Sequence, residues 1–219
     1  MHLYISRHGQ SMGNIGEYSG PDPVLTPRGF AQARALGERL AAIKFDAVFA
    51  SPTMRALATA NEVAVRQSGG PTPVFWLTEL AEVDRKGGSQ RMSPPAELVK
   101  ACPSARPYPE PGPLGLTDTV PPDEDGGIAR GYAAANFLRE RYTGEDTTIL
   151  VVALGVFNSR FISAALGGEY PFFCRHLSSN AMLSCVSYQP DLDGVVRPLF
   201  RFHNDISHLV AAGVGDDRP

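Results

Sequence analysis

In the first third of the chain, short apolar runs alternate with longer segments in which apolar residues recur at helical spacing. Leu3 to Ile5 and Asp46 to Ala50 are short, mostly apolar runs, which predicts two buried strands. Between them, Thr26-Pro27 combines a capping side chain with a proline at the first helical position, and the apolar residues that follow recur at helical spacing. Ser51-Pro52 repeats this signal and predicts a second helix that extends to about residue 67.

The same alternation continues toward the C-terminus. Further strands are predicted at Val74 to Leu77, Thr147 to Ala153, Met182 to Tyr188 and Val195 to Phe202, and further helices at Gly131 to Tyr142 and Phe157 to Leu166. Strands that alternate with helices pair in parallel through right-handed crossovers. The sequence therefore predicts an α/β fold of three layers, α/β/α, with a mostly parallel central sheet.

The stretch from Arg85 to Gly127 differs from its surroundings. It is rich in proline and glycine, and only Pro95 to Ala101 has the pattern of a short helix. A loop-dominated stretch of this length in a compact domain is usually a functional lid or partly disordered. We therefore expect one domain over residues 1–219 with a lid insertion at about 85–127.

Composition narrows the class of protein. The chain has 219 residues with a net charge of −3, which disfavours a general binder of nucleic acid or of anionic membranes. Its three cysteines are sparse and widely spaced, as in reduced cytosolic proteins. No signal-peptide pattern opens the sequence and no apolar run is long enough to cross a bilayer, so we expect a cytoplasmic location.

Candidate chemistry lies where the predicted strands end. In open α/β sheets, ligands bind outside the carboxyl ends of the strands. Arg7-His8 follows the first strand, Ser51 to Arg55 follows the second, and Leu154-Gly155 follows the strand rich in β-branched residues. Glu79 and Glu82 follow the strand predicted at Val74 to Leu77.

Four segments, in this order, resemble signatures of the histidine phosphatase superfamily, whose fold is also called phosphoglycerate-mutase-like. I-S-R-H-G-Q-S-M-G-N near the N-terminus is similar to the family's R-H-G-E-T-x-x-N. The segments L-T-P-R-G-F-A-Q-A and S-P-T-M-R-A-L-A-T-A match L-T-x-x-G-x-x-Q-A and S-x-x-x-R-A-x-x-T-A, and F-H-N-D-I-S-H-L resembles the closing segment. The resemblance implies a phosphatase that hydrolyses a small phosphorylated molecule through a phosphohistidine, without a metal or other cofactor.

The resemblance assigns roles that fit the chemistry of the residues. A neutral imidazole at His8 can attack phosphorus directly. The planar guanidinium groups of Arg7 and Arg55 suit the phosphoryl oxygens, and Asn14 can donate a further hydrogen bond. A carboxyl group must protonate the leaving oxygen; the family's L-x-E segment points to Glu82, with Glu79 as the competitor.

One position departs from the family pattern. Where the family has V-V-x-H-G, with the histidine and glycine at the phosphate pocket, this chain ends its strand in Val-Val-Ala and continues with Leu154-Gly155. Leucine donates no hydrogen bond and carries no charge, and one lost donor of this kind typically slows a reaction about 10²–10³-fold. Three alternatives remain open: a slow or specialised phosphatase, a pseudo-phosphatase that binds a phosphorylated ligand or partner, and a site rebuilt for a different reaction. The sequence leaves the oligomeric state open.

Overall fold

The computed structural model describes residues 1–18, 20–70, 72–83, 90–122, 127–168 and 178–215. Its nine named strands are β1 His2–Arg7, β2 Ala47–Ala50, β3 Val74–Trp76, β4 Gln90–Arg91, β5 Arg106–Pro107, β6 Thr119–Val120, β7 Thr148–Ala153, β8 Leu183–Pro190 and β9 Val196–Asp205. Its six α-helices are α1 Pro27–Leu40, α2 Met54–Ala64, α3 Pro95–Ala101, α4 Ile128–Arg141, α5 Gly155–Ala165 and α6 Ser207–Ala211. No helix within these residues is long and apolar enough to cross a membrane.

The central sheet has the strand order β5-β3-β2-β7-β1-β8-β9. The first four neighbouring pairs, from β5 to β1, are parallel, and β8 and β9 are added antiparallel. In the pairing of β1 with β7, Arg7 lies opposite Ala153. The residues that follow these two strands therefore come together at one edge of the sheet.

Both faces of the sheet are covered, as the predicted three-layer fold requires. Alternate residues of β7 point to opposite sides: Ile149 and Val151 pack with apolar residues of α4 and α5. Leu150 and Val152 pack on the other side with residues of α1, α2 and α3. The strands read as nearly continuous apolar runs because they are buried on both faces.

The start of α1 is confirmed, and the start of α2 is not. The Thr26 side chain accepts a hydrogen bond from Gly29 N and caps α1. The second helix begins at Met54 rather than directly after Ser51-Pro52, and the backbone N–H of Met54 donates instead to the Asp22 carboxylate. The loop after β1 forms turns over residues 12–16.

The predicted insertion is described over residues 90–122, whereas residues 84–89 and 123–126 lie outside the described part. Its helix α3 has the predicted bounds. The two-residue strands β4 and β6 pair with each other, and β5 adds to the edge of the central sheet beside β3. The described insertion thus packs against the end of the sheet at which β3 leads into Glu79 and Glu82.

Candidate functional site

His8 lies at the carboxyl end of β1, beside the end of β7. Its backbone N–H donates to Ala153 O at 3.1 Å, and its side chain is 3% exposed. Its carbonyl accepts hydrogen bonds from Ala181 N and from Asn180 Nδ2, each at 3.1 Å. The backbone at His8 is therefore fixed on one side by the end of β7 and on the other by the segment that precedes β8.

The imidazole of His8 has one orientation and one favoured tautomer. Its Nδ1 lies 2.6 Å from Gly9 O, which can only accept, so we place the ring proton on Nδ1. Gly9 is held in turn by a hydrogen bond from its N–H to Thr59 Oγ1 at 3.1 Å. This leaves Nε2 with its lone pair, which is the form in which an imidazole attacks phosphorus.

Two positive charges stand beside this neutral ring. Burial, followed by the charges of Arg55 and Arg7, lowers the pKa of His8 well below its usual value of 6.5. All three effects disfavour the imidazolium form. His8 is therefore an uncharged base inside a positively charged pocket.

Arg7 is positioned by the loop before β8 and by the start of α5. Its Nη1 donates to Ser178 O at 2.6 Å. The guanidinium passes directly over Gly155, where a Cβ atom would lie 3.3 Å from Arg7 Nε. Glycine at this position lets the guanidinium pack against the backbone at the N-terminus of α5.

Arg55 is held by a carboxylate that the sequence patterns do not reveal. Its Nη1 lies 3.0 Å from Asp22 Oδ1, and both side chains are nearly buried. Asp22 also accepts Met54 N, at 2.9 Å to Oδ2, and the hydroxyl of Ser93 at 2.7 Å. Asp22 thus joins the loop after β1, the start of α2 and the insertion.

The Glu82 carboxylate lies beside the N-terminus of α5, the helix that begins directly after Leu154. Its Oε1 accepts Phe157 N at 2.8 Å, and its Oε2 accepts Val156 N at 3.4 Å. Negative side chains are favoured at such helix starts. Burial lowers the pKa of Arg55, whereas the charges of Asp22 and Glu82 raise it, which places Glu82 within electrostatic reach of Arg55.

The competing carboxyl group, Glu79, is fully buried in the 3-10 helix Thr78–Leu80 and faces another part of the molecule. Its Oε1 accepts Leu114 N at 3.0 Å and Leu116 N at 3.5 Å. These bonds fasten the loop over residues 112–116 of the insertion. The structure therefore separates the two carboxyl groups that the sequence left in competition.

Arg130 of α4 fixes the segment that carries Glu82. Its guanidinium donates to the backbone carbonyls of Glu79, Ala81 and Glu82 at 2.9, 2.6 and 3.1 Å. It also stacks over the ring of Phe157, the residue whose N–H binds Glu82. Arg130 is thus a buried positioning residue beneath the candidate acid.

Asn14 lies on the exposed loop after β1, and its amide is oriented by its neighbours. Its Oδ1 accepts Ser11 N at 2.9 Å, Ser11 Oγ at 3.0 Å and Asn180 Nδ2 at 3.2 Å. Three donors on the oxygen turn the Nδ2 group in the other direction, where it is available as a donor. Asn180 thereby links Asn14 to the His8 carbonyl.

Leu154 is fully buried between the end of β7 and the first turn of α5. Two of the other histidines have hydrogen-bond partners of their own. His208 Nε2 lies 2.9 Å from Ala181 O, His203 Nδ1 lies 2.9 Å from Ser184 Oγ, and His176 lies outside the described residues. An apolar side chain therefore directly precedes Gly155, over which the Arg7 guanidinium passes.

A cavity of about 760 Å³ opens beside these groups. Asp22, Arg55 and Glu82 line it together with Arg91 and Ser93 of the insertion. Two other basic residues of the insertion are engaged elsewhere: Lys100 pairs with Glu97, and Arg106 stacks on Phe75. Arg85 and Lys86 lie outside the described residues. Among described residues, no group of three or more histidine, cysteine, aspartate or glutamate side chains is placed to hold a metal ion.

Three residues of this arrangement escape the sequence patterns. Asp22, Asn180 and Arg130 contact their partners over separations of 33, 172 and 51 residues, respectively, in the chain. Asp22 lies in a proline-containing loop that reads as a turn, and Arg130 directly precedes the helix predicted at Gly131 to Tyr142, although in the structure α4 begins at Ile128 and includes it. Only the folded arrangement identifies their contacts.

The lowered pKa of His8 predicts a dependence of stability on pH. Below about pH 6.5, His8 is protonated in the unfolded chain but stays neutral in the folded chain, because its pKa is lowered there. The free energy of unfolding therefore falls as the pH falls. One such proton corresponds to about 1.4 kcal/mol per pH unit. Urea unfolding between pH 7.5 and 5.5 should therefore show a shallower decline for His8→Gln than for the unmodified chain.

The variant is expected to keep part of the decline, because burial also lowers the pKa values of His2 and His208. Equal slopes for the two proteins would contradict the prediction.

Known proteins resemble this chain in sequence and in fold. A family model described as histidine phosphatase superfamily (branch 1) matches residues 3–198. The adenosylcobalamin/alpha-ribazole phosphatase of Escherichia coli (strain K12) is 41% identical over 85 residues, 38% of this chain and 40% of that protein. The match to its Salmonella typhi counterpart likewise spans 41% of that relative's length.

Solved structures resemble the whole chain. A phosphoserine phosphatase from Entamoeba histolytica, in complex with 3-phosphoglyceric acid, has a TM-score of 0.65 at 22% identity and covers 95% of this chain and 98% of its own. A phosphoglycerate mutase from Bacillus anthracis str. Sterne has a TM-score of 0.66 at 19% identity, with coverages of 97% and 96%. These likenesses confirm the phosphoglycerate-mutase-like fold. Because the family model runs from Leu3 in the first strand to Pro198 in the last, the chain belongs to the histidine phosphatase superfamily, branch 1.

Proposed function

We propose that this chain is a phosphatase that hydrolyses a small phosphomonoester through a phosphohistidine at His8. The observation that carries the proposal is a buried, neutral imidazole whose Nδ1 is held by Gly9 O and whose pKa is lowered by burial and by the charges of Arg55 and Arg7. A nucleophile of this kind needs no base to activate it. The two arginines supply the positive charge that a phosphoryl group requires.

In the first step, His8 Nε2 attacks phosphorus and forms a phosphorus–nitrogen bond while the ester oxygen leaves. Arg7 and Arg55 hold the phosphoryl oxygens, with Gly155 N–H and the Asn14 amide at the edge of the same site. Glu82 gives its proton to the leaving oxygen. The product alcohol then departs.

In the second step, a water molecule attacks phosphorus and the phosphorus–nitrogen bond breaks. Glu82 takes the proton from that water, and inorganic phosphate leaves with His8 restored. The position of Glu82, which lines the same cavity as Arg55, supports its role as acid and base. Residues 90–94 of the insertion line the same cavity and serve as part of its lid.

The second candidate function is binding of a phosphorylated ligand or partner without turnover. Leu154 is the residue that suggests it. This buried leucine removes a donor where the family signature has histidine. Retention of His8 and Glu82 favours catalysis, because a protein that only binds phosphate needs neither group. A site rebuilt around Leu154 for another reaction is the third alternative.

Trapping the intermediate tests the proposal. Incubation of the full chain with a ³²P-labelled aryl phosphate, followed by a rapid alkaline quench, should leave label on the protein that is stable in alkali and lost in acid. His8→Gln should carry none. Phosphate release with no such label would overturn the phosphohistidine mechanism, and a lack of both label and release would favour the binding alternative.

A further inference from the structure

A second cavity of about 580 Å³ adjoins the one that contains Arg55 and Glu82. The two cavities share three wall residues, Pro52, Met92 and Ser93. Pro52 lies between β2 and α2, and the other two belong to the insertion. A molecule whose phosphate binds at Arg55 therefore has this second cavity directly beside it.

The wall of the second cavity is mainly apolar. Aromatic, aliphatic and proline side chains dominate it: Trp76, Leu77, Met92, Pro95, Leu98, Pro107, Tyr108, Pro109, Pro111 and Leu116. Its ionisable wall residues include the carboxylates Glu110 and Asp118, and no lysine, arginine or histidine is found among the described residues that line it. Its volume lies in the range of about 300–1,000 Å³ that is usual for small-molecule sites.

This wall is fastened in place rather than loosely folded over the sheet. Buried Glu79 binds Leu114 N and Leu116 N, and the hydroxyl of Thr78 donates to Thr117 O at 2.5 Å. On the other side, Tyr108 N donates to Trp76 O at 3.1 Å. A cavity whose wall is already ordered loses little entropy when a ligand enters.

Gly112 shows how closely this loop lies against its support. A Cβ atom at Gly112 would lie 2.4 Å from either oxygen of the Glu79 carboxylate, so a larger residue there would displace this carboxylate. Glu79, the alternative to Glu82 as the acid, thus holds in place the loop that forms part of the wall of the second cavity.

We propose that this second cavity receives the leaving group of the substrate, and that this group is apolar, uncharged and large enough to include a ring. The proposal rests on the proposed function, since the phosphate is taken to bind at Arg7, His8 and Arg55. A second anionic group, such as a carboxylate, would face Asp118 and would find no lysine, arginine or histidine among the described wall residues, while the other wall carboxylate, Glu110, is already ion-paired with Arg141. Substrates with small, charged leaving groups are therefore poor matches.

Binding of stable phosphonates tests the cavity separately from catalysis. Butylphosphonate and 4-phenylbutylphosphonate share the anionic end and differ by one phenyl ring. Calorimetric titration of the full chain should give a dissociation constant about 10²-fold lower for the phenyl compound, because burying a ring of this size is worth about that factor. 4-Phosphonobutyrate, which carries a carboxylate, should bind more weakly than butylphosphonate.

Leu116→Trp fills the cavity and should reduce the phenyl preference to less than about tenfold, as should Thr117→Trp on the same wall. Leu114→Trp is the matched control: Leu114 lies on the same loop, is 49% exposed and does not line the cavity. The control should keep the full preference. A ratio near one in the unmodified chain, or a preference that survives both filling variants, would overturn the proposal.

Hydrolysis assays with propyl phosphate and 3-phenylpropyl phosphate distinguish this failure from failure of the proposed function. Equal hydrolysis of both esters would support the phosphatase and reject the apolar site. Selective phosphonate binding without hydrolysis of either ester would support the cavity and reject the phosphatase.

Discussion

Replacing His8 with glutamine is expected to lower kcat for aryl phosphate hydrolysis by about 10⁴-fold or more. Glutamine retains polarity and approximate length but cannot form the covalent intermediate. The loss should be in kcat, because Arg7 and Arg55 remain to bind the phosphate. Steady-state kinetics on the purified full chain, with phosphate release as the readout, measures the effect.

His203→Gln is the matched control for this experiment. His203 lies on β9 beside Ser184 and takes no part in the arrangement around His8. Its replacement should leave kcat within a few-fold of the unmodified chain. Turnover by His8→Gln within tenfold of the unmodified chain would show that another group is the nucleophile.

Local signals in the sequence were sufficient for six of the seven strands of the central sheet, all but β5, and for the position of His8 at the end of β1. The apolar run before Arg7-His8 predicts β1, and the β-branched run before Leu154 predicts β7. Because both strands are buried on two faces and run parallel, their ends must meet at one edge of the sheet. The pattern thus predicts that His8 and the end of β7 lie at the same edge, and the pairing of β1 with β7 in the structure makes them neighbours.

The start of α2 shows where local signals fail. Ser51-Pro52 has the form of a helix start, but the helix begins at Met54, whose N–H binds Asp22. Asp22 is distant in sequence and reaches Met54 only because the loop after β1 folds back over the end of β2. The residues next to a helix start cannot reveal a capping side chain that comes from a distant segment of the chain.

The choice between Glu79 and Glu82 was open for the same reason. Both carboxyl groups follow β3 within a few residues, and nothing in their spacing assigns the roles. The structure separates them through long-range contacts: Glu79 binds the loop at residues 112–116, whereas Glu82 binds the first turn of α5. Arg130 donates hydrogen bonds to the backbone carbonyls of both residues, while their side chains have different partners.

Restoring a histidine at position 154 tests whether the rest of the site is intact. Leu154→His is expected to raise kcat for aryl phosphate hydrolysis about 10²-fold, because it returns one preorganised donor to the phosphoryl oxygens. The position suits this role, since residue 154 directly precedes Gly155, on which Arg7 packs, and the helix start that binds Glu82. The new imidazole would have these groups as neighbours.

The gain must come from catalysis through His8 rather than from a change in packing. Leu154→Met is the matched control, because it keeps an apolar side chain of similar volume and should leave kcat unchanged. The double variant Leu154→His with His8→Gln should show no gain over His8→Gln alone. Burial of a polar ring at a fully buried position is expected to lower the free energy of unfolding by about 1–3 kcal/mol, so urea unfolding should accompany the kinetics.

The two outcomes separate the alternatives that Leu154 raises. A gain of about 10²-fold would mean that Arg7, His8, Arg55 and Glu82 already form a working phosphatase that lacks one donor. A folded Leu154→His variant without any gain would contradict this prediction, and it would mean that the pocket has been rebuilt around an apolar side chain. Leu154 is fully buried between β7 and α5, so the reason for a rebuilt pocket would lie in the substrate that it accepts. The phosphonate titrations address that substrate, because they measure which organic groups the protein binds best.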